Sequence, residues 1–420
     1  MKKFDPYDFS KKVIDGVPVY YKNLPLAPCI HINIIFSTGS IYDPKGKEGL
    51  SHFLEHMIFD GCPSLPNKKA IKEWSKIHTL NSWNAWTWFT NTNYHLKCLP
   101  EKIDIVLSGM KDMIFNPLLK DEDVEHERSV ITQEAWGVYK NEKYLSFCKK
   151  TLDNVYHGTA RVNTTSPLGW PDSIKNISQK DVALWHRTNY GKGNFSIVIS
   201  GAIDSKTLEK MGKFLKTIPQ AKLERIKFGE LQKPKKNFIT KTGEEIGDPR
   251  EQAEISFERA IATKSAPSEE IQLMTSSLLQ DILYERLRTE KALCYGISTG
   301  SYIQKDFLSW TVNLKIKEEN VDVVKKEFWK ALGDIISGKE KSRFDVLKKV
   351  RIDRLKSIEE VTEDITQNVL MNILKYEKII QKEKMILERQ KISYKDVVSC
   401  LKNAFKKEWT VIEVILPAKK

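Results

Sequence analysis

The segment Gly49-Leu50-Ser51-His52-Phe53-Leu54-Glu55-His56-Met57-Ile58-Phe59 holds the pattern from which the fold and the site of this chain are predicted. Spacings of three and four separate its regularly placed apolar residues, Leu50, Phe53, Leu54 and Met57. Such spacing predicts an amphipathic helix. On that helix His52 and His56 lie one turn apart, and Glu55 falls beside them within about 100° of arc, at roughly 3.6 residues per turn. The segment therefore places two imidazoles and a carboxylate on one helix face.

Two imidazoles at positions i and i+4 can bind one metal ion from the same side, and zinc is the usual ion at such sites. The carboxylate between them points toward the open coordination position, where it can serve as a general base. The pattern H-x-x-E-H is the reverse of the H-E-x-x-H helix of zinc proteases. The alternative is an amphipathic helix whose polar residues only face solvent. A third protein ligand would decide between the two.

Length and composition indicate a globular protein with more than one core. A chain of 420 residues predicts about two or three domains, and 40% hydrophobic residues suffice for buried cores. No apolar run reaches the roughly 18 residues of a membrane span, and no apolar stretch follows Lys2-Lys3, so we expect neither a membrane segment nor a secretory signal. The 6 scattered cysteines form no C-x-x-C pair, which favours a cytoplasmic location.

The formal net charge of +13 raises the question of a nucleic-acid or acidic partner. The lysines are spread along the whole chain and are mixed with acidic residues, as in segments 140–143 and 382–384. No basic segment with interleaved aromatic residues stands out. We therefore interpret most of the charge as solvated surface and expect no nucleic-acid partner, while a mild preference for acidic peptides stays open.

The order of predicted elements is similar in the two halves of the chain. The first half runs from strands through the histidine-containing helix to further strands, helices, a buried strand at 194–201 and a helix at 205–217. The second half repeats strands, a helix from 269 to about 291, strands, long helices across 320–387 and a closing strand at 409–415. Similar order in both halves indicates a duplicated α+β layout.

We therefore predict an α+β fold of two tandem homologous domains, each with a mixed, mainly antiparallel sheet covered by helices. The first domain would span 1–222 and carry the histidine pair. A polar, lysine-rich linker with a proline would span 223–236. The second domain would span 237–420 and bind no zinc.

Two further segments bear on the site. Aromatic residues at 86 and 88 alternate as on a strand. That strand is either an aromatic sheet face packed on a helix or an edge strand that offers backbone groups to an extended peptide. In the charged helix 121–134, Glu127, Ile131 and Glu134 share one face, from which a carboxylate could complete a His₂Glu site. A glutamate-rich helix by itself is usually only solvated.

These segments together resemble the pitrilysin (insulinase) family of inverzincin metallopeptidases, in the short form related to mitochondrial processing peptidase and its bacterial relatives. Gly49–Met57 matches the zinc helix of that family almost letter for letter. Asn84-Ala85-x-Thr87, followed by Thr92-x-Tyr94, matches its substrate-edge strand. Glu127-Arg128-x-Val130-Ile131-x-x-Glu134 matches the segment that bears the third ligand. The resemblance spans nearly the whole chain.

The resemblance implies a role for each matched residue of the first domain. His52, His56 and Glu134 would bind Zn²⁺, Glu55 would be the general base, and Glu127 would be a nearby carboxylate that assists the site. The chain departs from the family at Leu80-Asn81, where Gly-Gly is usual, at Cys62 in place of threonine, and in its three tryptophans between residues 83 and 88.

The remaining implied residues concern the substrate. Asn84 and Ala85 would hold an extended peptide. In the second domain Leu287-Arg288-Thr289-Glu290 and Leu293-Cys294-Tyr295 resemble a segment whose Arg288 and Tyr295 approach the substrate from the other half of the assembly. The family also implies a clamshell chamber built from two chains, as a homodimer or as a heterodimer with a related chain.

The function expected from the sequence is that of a zinc endopeptidase cleaving small or unfolded peptides inside such a chamber. Two alternatives stay open. One is a non-catalytic or partner-dependent scaffold or peptide-binding subunit of a heterodimeric peptidase. The other is a protease dedicated to the maturation of one precursor peptide.

Overall fold

The computed structural model describes residues 5–159, 166–222, 229–303, 307–357, 366, 369–373 and 379–418. The described residues divide into two compact units. The first takes in those within 1–138, 163–227 and 360–381, and the second takes in those within 139–162, 228–359 and 382–420. Among the described helices, none has the length and apolar character needed to cross a membrane.

The first unit contains a 6-stranded sheet with the order β1-β2-β6-β3-β5-β4. Strands β2 and β6 pair in parallel, and the other neighbours pair antiparallel. Because β4 ends the order, it is an edge strand of this sheet. The strands are β1 (Ser10–Ile14), β2 (Val17–Asn23), β3 (Ile30–Phe36), β4 (Asn84–Thr87), β5 (Thr92–Cys98) and β6 (Phe195–Gly201).

The helices of the first unit follow β3 and β5 and flank β6 in the chain. Ser178 caps the N-terminus of one of them through a reciprocal capping box with Asp181. The helices are α1 (Leu50–Met57), α2 (Lys68–His78), α3 (Ile103–Phe115), α4 (Asp121–Tyr139), α6 (Pro171–Asn176), α7 (Gln179–Asn189) and α8 (Ser205–Lys216). Helix α5 (Glu142–Val155) belongs to the second unit, although it precedes the predicted linker.

The second unit contains a 5-stranded sheet with the order β7-β11-β8-β10-β9. Here β7 and β11 pair in parallel, and the other neighbours pair antiparallel. The strands are β7 (Phe238–Thr242), β8 (Ala253–Ala262), β9 (Cys294–Ile303), β10 (Phe307–Ile316) and β11 (Val411–Leu416). The helices are α9 (Glu269–Leu283), a π-helix (Tyr284–Glu290), α10 (Val321–Ile336), α11 (Lys341–Lys356), α12 (Lys382–Lys391) and α13 (Tyr394–Ala404).

The two sheets have the same topology once β1 is set aside. Counted along each unit, the order is first, fifth, second, fourth and third strand in both sheets, and the first and fifth strands pair in parallel in both. The predicted α+β class with two similar domains is therefore confirmed. The predicted domain and linker boundaries stay predictions.

Several local features differ from those expected. Strand β1 and helix α5 are not among the predicted elements. Ser10–Ile14 is mostly exposed and shows no buried alternation, whereas α5 begins at an N-cap residue, Asn141, from which it could have been recognised. The helix expected from 269 to about 291 ends in the π-helix instead of continuing as an α-helix. Part of the helical stretch expected across 320–387 lies outside the described residues.

Helix α1 is amphipathic, as its spacing predicts. Its apolar residues are at most 2% exposed, and they are Leu50, Phe53, Leu54 and Met57. At its N-terminus the buried Asp43 carboxylate accepts hydrogen bonds from the Gly49 and Ser51 backbone N–H groups at 2.8 and 3.0 Å and from the Ser51 hydroxyl at 2.6 Å. These bonds satisfy N–H groups that a helix start leaves unpaired. Asp43 therefore fixes where the histidine-bearing helix begins.

Gly49 is required at this helix start. Its φ of +102° lies in the left-handed region, and a Cβ there would lie 2.5 Å from the Leu168 carbonyl oxygen. Gly46 offers a comparison, because its φ is +82° but a Cβ there would meet nothing within 4 Å. Position 49 thus adds a backbone clash to the cost of a positive φ.

We expect Gly49→Ala to lower the free energy of unfolding by more than about 2 kcal/mol, because a left-handed alanine costs ~1–2 kcal/mol before the clash is counted. The matched variant Gly46→Ala should cost only about 1 kcal/mol. Urea unfolding followed by circular dichroism measures both. Equal losses for the two variants would contradict the role assigned to the contact with Leu168.

Candidate metal centre and peptide-binding edge

Helices α1 and α4 bring three potential metal ligands together. His52 and His56 come from α1, and Glu134 comes from α4, with one ligand atom of each lying within 4.8 Å of the others. Glu134 Oε2 is 4.0 Å from His52 Nε2 and 3.7 Å from His56 Nε2. Within the described ranges this is the one cluster of three or more His, Cys, Asp or Glu side chains with that geometry.

The donor set fits zinc. Two ligand atoms that are each about 2.1 Å from one ion lie at most about 4.2 Å apart, and both measured distances to Glu134 meet that limit. Two imidazoles and one carboxylate are also the ligand set of several catalytic zinc sites, which keep a fourth position open. These residues therefore have the chemistry and the convergence that a zinc site needs.

Glu127 orients one of the two histidines. His56 Nδ1 donates a hydrogen bond to Glu127 Oε2 at 2.8 Å, which leaves Nε2 directed at Glu134. Lys68 Nζ donates to the other carboxylate oxygen of Glu127 at 2.7 Å. Burial alone would raise the pKa of Glu127, but the hydrogen bonds from His56 and Lys68 lower it to about 2. The carboxylate is thus ionised and fixes the ring orientation, as outer partners of metal-binding histidines usually do.

His52 presents a neutral ring. Burial, together with the neighbouring His56, lowers the pKa of His52 to about 3. Its Nδ1 atom is buried and has no hydrogen-bond partner among the described residues. A neutral imidazole is the form that binds a metal ion, so no proton has to leave His52 at neutral pH.

Glu55 lies beside the histidines and is held by β4. The carboxylate is 8% exposed, and its Oε2 accepts a hydrogen bond from the Thr87 hydroxyl at 2.6 Å. Burial raises the pKa of Glu55, and the hydrogen bond from Thr87 opposes that shift. A carboxyl group with a raised pKa is better matched to accepting a proton near neutral pH.

Strand β4 leaves backbone groups open at the sheet edge. Trp88 N–H donates to the Asn91 carbonyl at 2.8 Å, so the hydrogen-bonded pairs that alternate with it are Trp86–Asn93 and Asn84–His95. The backbone groups of Ala85 therefore point away from β5. The Ala85 N–H donates to the side chain of the exposed Asn84 at 2.9 Å. The strand is thus an edge strand with open backbone groups, and the binding of an extended peptide there stays a prediction.

The side chains of β4 alternate between two faces of the sheet. Because the Thr87 hydroxyl bonds Glu55, Thr87 and Ala85 lie on the face toward α1, whereas Asn84 and Trp86 lie on the opposite face. The open backbone of the edge strand thus runs directly beside the carboxylate of Glu55.

Arg288 and Tyr295 belong to the second unit and contact each other. The Arg288 guanidinium carbon lies 5.3 Å from the centre of the Tyr295 ring, and Tyr295 is 89% exposed. Arg288 is part of the π-helix, and Tyr295 is the second residue of β9. The structure therefore brings these two predicted residues together on an exposed surface.

Sequence reasoning missed three residues of the site. These residues are Asp43, Thr87 and Lys68. Their hydrogen bonds to the α1 start, to Glu55 and to Glu127 connect positions at least 6 residues apart in the chain. No local signal reveals such contacts.

The residues at the place of the expected Gly-Gly pair both have a positive φ, a conformation that glycine adopts readily. Leu80 and Asn81 have φ values of +52° and +55°. Leucine rarely adopts a positive φ, whereas glycine does so without cost. The turn before β4 thus has a backbone that a Gly-Gly pair would adopt without strain, although both residues here carry side chains.

Comparison with known proteins supports this description. Residues 19–166 match the family model for insulinase (peptidase family M16), and residues 176–350 match the model for the peptidase M16 inactive domain. A putative M16-like peptidase from Alicyclobacillus acidocaldarius has the same fold, with a TM-score of 0.81 at 18% identity over 98% of this chain and 99% of that one. The periplasmic protease PqqL from Escherichia coli superposes with a TM-score of 0.80 at 17% identity over 98% of this chain and 48% of its own.

Relatives with curated names point to the same family. An uncharacterized zinc protease of Rickettsia felis is 29% identical over 46% of this chain and 46% of its own length. The mitochondrial-processing peptidase subunit beta of Caenorhabditis elegans is 30% identical over 43% of this chain and 38% of its own length. The chain thus matches less than half the length of these relatives. The two family models together show that the chain belongs to the peptidase M16 (insulinase) family.

We expect Glu127→Gln to weaken zinc binding by about 10- to 100-fold, because the neutral amide no longer holds the His56 ring as a charged acceptor. The matched control is Glu125→Gln, which changes an exposed carboxylate of α4 that pairs with Arg128. Competition with a fluorescent zinc chelator measures both dissociation constants. If the two variants bound zinc equally well, Glu127 would have no part in the metal centre.

Proposed function

We propose that the chain is a zinc-dependent endopeptidase that cleaves small or unfolded peptides. The observation that carries the proposal is the convergence of His52, His56 and Glu134 beside the buried carboxylate of Glu55. The zinc protease names of relatives support it at the level of the family. Zinc itself is part of the proposal.

The three ligands would hold the ion, which when bound supplies Lewis-acid activation of water and of the scissile carbonyl. Glu55 would take a proton from the attacking water and later pass it to the leaving amine nitrogen. Thr87 would keep Glu55 in place between these two transfers through its hydrogen bond. Glu127 would keep His56 Nε2 directed at the ion.

The edge strand β4 would bind the substrate. An extended peptide can pair with the open backbone of Ala85, and the exposed Asn84 side chain would give up the Ala85 N–H to it. Because Ala85 and Thr87 face α1, the peptide bond paired with this stretch would lie beside Glu55. Strand addition requires an extended segment, which a folded protein seldom offers and a small or unfolded peptide does.

We expect Glu55→Gln to keep the zinc and to lose peptide cleavage by about 10²- to 10⁴-fold, because the amide cannot accept the proton. The control is Glu73→Gln, which makes the same change on the exposed face of α2. Zinc content is measured by atomic emission, and cleavage is measured on a mixed peptide library by mass spectrometry.

The outcomes separate the alternatives. Broad cleavage by the native chain would indicate general peptide degradation, and cleavage of a narrow set would indicate maturation of a dedicated precursor. Bound zinc without any cleavage would favour a partner-dependent subunit. Failure to bind zinc when the metal is supplied would refute the enzyme and leave the non-catalytic scaffold.

We further propose that two chains, identical or related, form the active chamber in the cytoplasm. One chain would supply the metal centre and the other Arg288 and Tyr295. This arrangement follows from the family resemblance and from the separate placement of the two residue sets in different units of the chain.

Mixing the inactive chains Glu55→Gln and Tyr295→Phe should restore about a quarter of the native activity in a homodimer. Random exchange makes about half of the dimers mixed, and each mixed dimer has one intact site of two. Activity is followed with exchange monitored by native mass spectrometry. No recovery after confirmed exchange would argue against sites shared between chains.

A further inference from the structure

The π-helix that carries Arg288 is held in place by an ion-pair cluster. A π-helix places one more residue in each hydrogen-bonded turn than an α-helix, is rare, and often occurs at functional sites. In this one Leu287 is 1% exposed and belongs to the core, while the next residue, Arg288, contacts Tyr295. The wide turn therefore decides which side chain is buried and which meets Tyr295.

The exit of the π-helix brings Tyr295 back to Arg288. Leu293 N–H donates to the Leu287 carbonyl at 2.8 Å, and Ala292 has a φ of +50°. This hydrogen bond closes a turn after the π-helix, so that β9 begins at Cys294, close to the π-helix. The Arg288–Tyr295 contact thus depends on the register of the turn between them.

Arg286 ties the π-helix to neighbouring helices. Its Nη2 atom lies 2.9 Å from Asp334 Oδ2 in α10 and 3.0 Å from Glu340 Oε1, the residue before α11. All three side chains are at most 15% exposed. Ion pairs between side chains with so little exposure are screened little by salt, and they hold a fixed geometry better than ion pairs on the surface do.

Arg343 of α11 contacts the same cluster from the other side. Its Nη1 lies 2.6 Å from Asp281 in α9, its Nη2 pairs with Glu285 in the π-helix, and its Nε lies 3.2 Å from Glu340. The last turn of α9 and the π-helix are therefore joined to α11. Of the two arginines, only Arg286 is itself a residue of the π-helix.

We propose that Arg286 is a positioning residue for peptide cleavage. Its ion pairs with Asp334 and Glu340 hold the π-helix in the register that sets Arg288 against Tyr295. A return to α-helical hydrogen bonding would remove one residue from the turn and rotate Arg288 by about 100° relative to the preceding helix. The inference rests on the proposed function, which assigns Arg288 and Tyr295 to the substrate.

The test compares Arg286→Met, Arg286→Lys, Arg288→Ala and the double variant Arg286→Met/Arg288→Ala. We expect Arg286→Met to lower kcat/KM for a fluorogenic peptide selected from the library by about 10- to 100-fold with zinc content unchanged. Lysine keeps the charge and should restore part of the activity. In the Arg288→Ala background Arg286→Met should have little further effect, because both changes remove the same contact.

A matched control measures the loss of stability alone. Arg250 is 16% exposed and pairs with Asp248 and Glu254 in the same unit, away from the π-helix. Arg250→Met should lower Tm about as much as Arg286→Met does and leave kcat/KM within about twofold. Should Arg286→Met fail to fold, Glu340→Gln replaces it. This change weakens the pairs of Glu340 with both Arg286 and Arg343 and leaves Arg286 paired with Asp334.

The outcomes distinguish this inference from the proposed function. A native chain that binds zinc and cleaves nothing refutes the proposed function of the isolated chain, and the inference with it. If cleavage is observed but Arg288→Ala retains it, the inference is refuted and the metal centre stands. If Arg288→Ala loses activity while Arg286→Met keeps the native kcat/KM, only the positioning role of Arg286 is refuted. Additive losses of activity in the double variant would refute that role as well.

Discussion

The hydrogen bond from His56 Nδ1 to Glu127 connects the two helices on which the metal centre depends. Helix α1 supplies both histidines, and α4 supplies Glu127 and Glu134, one carboxylate to orient a ring and one to complete the ligand set. Glu127 is fully buried and ionised, and it is compensated by Lys68 as well as by His56. An ionised carboxylate in such a position is stable only while both partners stay in place. The electrostatics of this one residue therefore fix the relative placement of all three ligands.

The connection between the second and third strands carries different residues in the two copies of the duplicated sheet. In the first unit the segment between the second and third strands in chain order, β3 and β4, carries α1 with the histidines and Glu55. In the second unit the segment between β8 and β9 carries α9 and the π-helix with Arg288. In both units the third strand then forms the end of the sheet order. The residues assigned to chemistry and to substrate thus come from topologically equivalent positions.

Much of the fold and of the ligand set could be predicted from the sequence. A nearly continuous run of buried residues marks β3 and β6, whereas apolar spacings of three and four mark α1, which buries one face. Strand β1 is mostly exposed and lacks such a pattern. The helix expected to reach residue 291 shows the same limit, because an α-helix and a π-helix bury similar apolar residues and differ in hydrogen bonding.

The sequence by itself determined that His52, Glu55 and His56 share one face, since the pitch of a helix places residues three and four apart together. It narrowed the third ligand to the acidic helix, and the family resemblance selected Glu134. Only the tertiary structure decided that Asp43 caps α1, that Thr87 holds Glu55 and that Lys68 compensates Glu127. The reason is physical: a helical repeat acts over one turn of chain, whereas these hydrogen bonds join groups that meet only when separate elements pack together.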